Sequence, residues 1–185
     1  MRQMGGLRAD AARNLDVLLE TGARLLADDP GASIAAIAAE AGVDRRTVYR
    51  RFDNRGALVD AVYRATLDAV DEALADARMD SAPVAVALHR LVEGFIGVIR
   101  RYPIESERMS CDAELYPRVL NHMERLAVFM RRAADEGLMR SDLPHGLASD
   151  LLKQILNVVA RQPQLDPGPA ADLAVDILLN GTGPR

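Results

Sequence analysis

Between residues 41 and 55 the sequence reads AGVDRRTVYRRFDNR, and the chemistry it offers is that of guanidinium groups: Arg45, Arg46, Arg50, Arg51 and Arg55 surround Tyr49. Against Asp44 and Asp53 these five arginines give a local charge of +3 in a chain whose net charge is −4, leaving −7 elsewhere. A guanidinium fork pairs with phosphate, or with O6 and N7 of guanine through two parallel hydrogen bonds. A basic surface on an acidic body is the distribution a nucleic-acid binder needs, although a solvated helix face carries the same charge. Arginine supplies all the basic residues but Lys153, so placement rather than number carries the argument.

Other chemistry finds little support. No Gly-x-Ser-x-Gly or Cys-His pairing suggests a hydrolase, and no Glu-x-x-His pair suggests a helical-bundle metalloenzyme. The single cysteine, Cys111, cannot close an internal disulfide and has no partner at zinc spacing, so it reads as a small semi-buried side chain. Neither metal nor cofactor is expected, and the chain reads as no enzyme. No apolar run approaches the ~20 residues of a membrane span, and the first residues lack the apolar core of a signal peptide, which points to a cytoplasmic protein.

The elements that must position the arginines are helical. Sustained two-residue alternation is missing, and aromatic residues make up only 4%. Leu15, Leu18, Leu19, Ala23 and Leu26 form a stripe that ends at the DDPG of 28–31. Ser33 then caps a short helix with Ile34, Ile37, Ala38 and Ala41 on one face, and Gly42 ends it in the left-handed region. Asp44 caps a second short helix, from about Arg45 to Phe52, with Val43 and Val48 facing inward. Two short helices joined by so brief a turn have helix-turn-helix spacing. Asn54 caps a long helix to about Ala77, with Leu58, Val62, Ala65, Ala69 and Ala73 as its buried stripe, and Pro83 opens another to about residue 101. Pro117 marks a break before a helix running to Asp135.

SIAAIAAEAGVDRRTVYRRFDNRGALVDAVY resembles the DNA-binding domain of the tetracycline-repressor (TetR) family of bacterial transcription regulators. The resemblance rests on the Ser-capped helix, the Ala-Gly-Val turn, Thr-Val-Tyr in the second helix, the phenylalanine after it, and Leu58 beyond the basic start of the next helix. It is strong over residues 10–64, whereas ADEGLMRSDLP at 134–144 matches only in layout. It implies an all-α fold of about nine helices, with a three-helix DNA-binding domain at 8–53 and a helical effector-binding and dimerisation domain at 54–185.

A recognition helix enters the major groove N-terminus first, so Arg45 and Arg46 are the candidates for base edges. The resemblance places Thr47, Tyr49, Arg51 and Arg55 near the groove or backbone, and Ser33 where a hydroxyl and amide meet phosphate; Arg50 is a further contact or a solvated charge. Arg2 and Arg8 are weaker candidates for a minor-groove arm, and Gly56 is an unexpected weak helix former in a first turn.

One such unit contacts too little DNA for tight binding, so a twofold homodimer on a palindromic double-stranded operator is expected. Leu151, Leu152, Ile155, Val158, Val159, Leu173, Ile177 and Leu178 cover more than one helical stripe, which suggests burial against both the chain's own core and a second subunit. The resemblance also implies a small-molecule effector that releases DNA. Phe95, Ile99, Tyr102, Met109, Tyr116, Arg118, His122 and Met123 are the candidate lining, set against an ordinary core reading for the apolar ones. The scarcity of aromatics favours an aliphatic or acyl effector. The rival readings are a DNA-binding regulator without sensing and a helical-bundle enzyme.

Overall fold

The computed structural model describes residues 3–104, 106–109, 112–144 and 146–182, with the backbone alone at 3–11, 106–107 and 182. Cys111, Arg2 and the Arg8 side chain therefore lie outside the described residues. Among those described, the chain forms nine helices and no strand: α1 (Gln3–Asp28), α2 (Ile34–Glu40), α3 (Arg45–Arg51), α4 (Arg55–Ala77), α5 (Val84–Arg101), α6 (Ser106–Met109), α7 (Tyr116–Asp135), α8 (Leu147–Ala160) and α9 (Pro167–Thr182). They divide into two compact units, one running to Thr66 and including Arg101–Arg108, the other holding Leu67–Arg100 and the residues from Met109 on.

In the first unit α2 packs against both α1 and α3. The α1 stripe buries Leu18, Leu19, Ala23 and Leu26; α2 contributes Ile34, Ile37 and Ala38, α3 contributes Val48, and α4 contributes Leu58 and Val62. Close packing of α1 against α4 depends on Gly22, where a Cβ would meet Val62 Cγ2 at 3.0 Å and Ile37 Cγ2 at 3.6 Å. Phe52 is buried as well, which agrees with a core role.

The turn between α2 and α3 is closed by a hydrogen-bond pair that a left-handed residue makes possible. Gly42 has φ +65°; its N–H donates to Ala39 O at 3.2 Å, and Val43 N–H donates to Ala38 O at 2.9 Å. Two otherwise orphaned carbonyls of the last turn are thereby satisfied. Gly137, with φ +77°, ends α7 the same way, with Leu138 N–H on Ala133 O at 2.9 Å. Pro117 lies in the first turn of α7, where its missing N–H costs no intrahelical bond.

The second unit is a helical body around Leu74, Leu88, Leu91, Ile96, Phe129, Leu152, Leu156 and Leu178. Its α8 packs against both α7 and α9. On α4 the expected stripe shifts beyond Val62. Thr66, Leu67, Ala73, Leu74 and Ala77 are buried, while Ala65 and Ala69 are half-buried. The shift coincides with the helix passing from one unit to the other after Thr66. Thr66 is tolerated inside because its hydroxyl donates to Val62 O at 2.9 Å.

Candidate nucleic-acid interface

Helix α3 has only seven residues, too few to persist alone, and three features fix it. Asp44 accepts hydrogen bonds from the N–H groups of Arg46 at 2.9 Å and Thr47 at 3.2 Å, satisfying two free donors at its start. Val48 anchors its inner face at 1% exposure. Phe52, its C-cap, is buried and donates to Val48 O at 2.9 Å. With one residue inside, the other six, Arg45, Arg46, Thr47, Tyr49, Arg50 and Arg51, are all exposed. The expected reading residues therefore share one solvent-facing surface.

Within that surface Arg45 is oriented by its neighbour one turn on. Its guanidinium carbon lies 5.2 Å from the centroid of the Tyr49 ring, and its Nη2 faces the Tyr49 hydroxyl at 3.5 Å. The four-residue spacing is plain in the sequence, but it permits this stacking without requiring it.

Ser33 is exposed, and its Oγ accepts from Ala36 N–H at 3.1 Å, as an N-cap should. Arg55, expected near the groove or backbone of DNA, is half-buried. Its Nε donates to Ala32 O at 2.8 Å and its Nη2 to Pro30 O, so it braces the loop that leads to Ser33. Asn54 caps α4 through Ala57 N–H at 3.0 Å. A Cβ on Gly56 would stand 3.1 Å from that capping oxygen, which gives the weak helix former a local reason.

The sequence profile described as bacterial regulatory proteins, tetR family, matches residues 18–62. Over 138 residues the chain is 33% identical to the HTH-type transcriptional repressor LfrR of Mycolicibacterium smegmatis, covering 74% of this chain and 71% of that one. The chain belongs to the TetR family. As a TetR-family protein it is a DNA-binding transcriptional regulator and not an enzyme. The structure of LfrR from Mycobacterium smegmatis in complex with proflavine superposes with a TM-score of 0.70 at 26% identity, covering 94% of this chain and 99% of that one. The ketosteroid regulator KstR2 of Mycobacterium tuberculosis, 21% identical with a TM-score of 0.70 over 91% of this chain and 94% of that one, shares the fold.

Of the eight residues expected to line an effector pocket in this TetR-family chain, seven lie in the second unit and Tyr102 in the first. Tyr116 at 44% and Met123 at 58% exposure face solvent, whereas Tyr102 and Met109 are buried, one in each unit. Phe95 and Ile99 pack against the body core as half-buried residues. Arg118 and His122 are held by α4: the guanidinium pairs with Asp68 at 2.6 Å and with Asp71, and His122 Nε2 lies 2.6 Å from Asp71 Oδ1. Burial pushes the imidazole of His122 below its ordinary range despite Asp71, with Arg118 and Arg125 adding repulsion. Burial pushes Asp71 upward, but hydrogen bonds from Arg118 and His122 outweigh it and the carboxyl titrates below its usual range. A recess of about 90 Å³ lies elsewhere, among Met130, Met139, Leu143 and Ser149.

The set expected at a dimer interface divides by helical phase. Leu152, Val159 and Leu178 are 0%, 3% and 1% exposed within the chain's own core, so their assignment to a partner surface is corrected. Leu151, Val158, Leu173 and Ile177 are exposed, as is Leu147, while Ile155 is half-buried.

Proposed function

We propose that this TetR-family regulator is a repressor that binds a palindromic operator as a homodimer through α3 and is released by a small-molecule effector. The observation that carries the reading is the division of α3 into one buried anchor, Val48, and six exposed residues headed by Arg45 and Arg46. Arg45 is the principal reader, holding a guanine in each half-site, with Arg46 beside it; Thr47, Tyr49, Arg50 and Arg51 hold the phosphates and Ser33 presents a helix start. The residues at 8–53 form the DNA-binding part, and those at 54–185 sense and dimerise. Repression is supported by the relationship to the LfrR repressor. Dimerisation is supported by the exposed leucines, valine and isoleucine of α8 and α9, which a subunit in water leaves uncovered. The place of action is the cytoplasm, on the nucleoid, in keeping with the absence among the described residues of any helix able to cross a membrane.

Effector release draws its support from the LfrR complex with proflavine. A regulator without sensing is the second reading, favoured by the exposure of Tyr116 and Met123, two of the eight expected lining residues. Fluorescence anisotropy with DNA from upstream of the protein's own gene tests both. Salt-sensitive, sequence-selective binding that Arg45→Ala makes less selective supports the operator reading, and no sequence preference on genomic fragments overturns it. Loss of binding on adding a planar aromatic or acyl compound supports sensing; indifference to a broad panel supports the second reading.

A further inference from the structure

Helix α1 ends without a basic residue in its last turn, and its sequence closes instead on Asp28 and Asp29. Helix C-termini leave carbonyls unpaired and carry partial negative charge, so this end lacks both donors and compensating charge from its own residues. The missing group comes from α6. Arg108 Nη1 donates to Leu26 O at 2.5 Å and Nη2 to Ala27 O at 3.4 Å. Seven residues earlier Arg101 Nε donates to Glu20 Oε1, so the 101–108 segment is tied to α1 at both ends. Tyr102, between the two ties, is buried at 4% exposure.

Beyond Asp28 the chain approaches the reading helices. Asp29 folds this loop on itself, its carboxylate accepting from Gly31 N–H at 2.8 Å and its carbonyl from Ala32 N–H at 3.0 Å. Arg55 holds the carbonyls of Pro30 and Ala32. Ser33 comes next and caps α2, which packs against α3. Two arginines from distant parts of the sequence thus bracket the loop, Arg108 at its entry and Arg55 at its exit.

We propose that Arg108 is a positioning residue for DNA binding. It touches no DNA; it fixes the C-terminus of α1 and hence the 29–32 loop, the N-cap at Ser33 and the presentation of α3. The inference rests on the reading of α3 as the DNA-contacting helix. Losing the fork leaves fewer molecules with α2 and α3 correctly presented, and apparent affinity falls by that fraction whatever the DNA sequence. Counterion release on binding is unchanged, because no phosphate contact is lost.

The test compares wild type, Arg108→Ala and Arg108→Lys as full chains, with anisotropy on operator and non-specific DNA over a salt series. Hydrogen exchange on the free proteins is read over residues 29–36. Arg108→Ala is expected to bind both DNAs about tenfold more weakly, corresponding to a competent fraction near one tenth, with an unchanged salt slope and faster exchange at 29–36. Arg108→Lys keeps the charge without the fork and is expected to fall between the two. Should the alanine variant fail to fold, the lysine variant carries the comparison. Wild-type exchange and affinity in the folded variants overturn the proposal. So does a salt slope reduced by about one, which makes Arg108 a direct phosphate contact. If the wild type binds no DNA, the reading of α3 fails, while the exchange comparison still decides whether Arg108 orders the loop.

Discussion

At the residue scale, Tyr49 has two separable uses. Its hydroxyl can donate to phosphate, while its ring is the platform over which Arg45 is held. Tyr49→Phe keeps the platform and should weaken binding to all sequences alike. Tyr49→Ala should in addition reduce discrimination at the base read by Arg45 by about two- to fivefold, the equivalent of the ~0.5–1 kcal/mol of an exposed cation–π contact. Competition anisotropy with operators mutated one base pair at a time measures the difference. His122 offers a second test. Because burial depresses the folded imidazole below its unfolded value, the unfolded chain takes up more protons as pH falls through that unfolded value near 6.5. Stability from this residue is present above about pH 6.5 and lost below it. Asp71, depressed in turn, contributes stability present above the ordinary aspartate range and lost at still lower pH. Thermal melts from pH 8 to 5 should show a steeper fall for wild type than for His122→Asn.

At the element scale, the short helices α2 and α3 depend on their ends. Asp44→Ala removes the acceptor for two N–H groups and should cost about 1 kcal/mol. Gly42→Ala places a Cβ in the left-handed region and should cost roughly 1–2 kcal/mol, although nothing crowds that Cβ within 4 Å. Urea unfolding measures both. On α5, two glycines three residues apart should respond oppositely. A Cβ on Gly94 would meet Ala73 Cβ at 3.0 Å and its Cα at 3.4 Å, so Gly94→Val should destabilise by about 1–3 kcal/mol through overpacking. Gly97 has open space and is exposed, so Gly97→Ala should stabilise the helix by roughly 0.5–1 kcal/mol.

At the scale of the whole molecule, charge and apolar surface serve different associations. The arginines of α3 face solvent from a chain of net negative charge, so DNA affinity should fall steeply with salt as condensed counterions cease to reward the contact. The uncovered apolar residues of α8 and α9 argue for a second copy. Wild type should sediment at twice the 20.1 kDa chain mass. Val158→Glu with Ile177→Glu should give a folded monomer that binds an operator far more weakly. A dimer that survives both substitutions places the interface elsewhere.

The sequence alone determined the helical class and the two short helices with the turn between them, because these depend on local chemistry. The caps Ser33, Asp44 and Asn54, the left-handed Gly42 and the inward Val48 are each set by residues a few positions away. The same locality supported the correct phase for Phe52. Only the tertiary structure decided which apolar face of α8 and α9 meets the chain's own core, since a helix apolar on two sides carries no mark of which side is already filled. Leu152 and Leu151 are adjacent in sequence and opposite in fate for that reason. It also assigned the arginines to carbonyls or to solvent. Arg55 closes on Pro30 and Ala32, and Arg108 closes on α1 some eighty residues earlier; a guanidinium looks the same in sequence whether it awaits a phosphate or already holds a helix end.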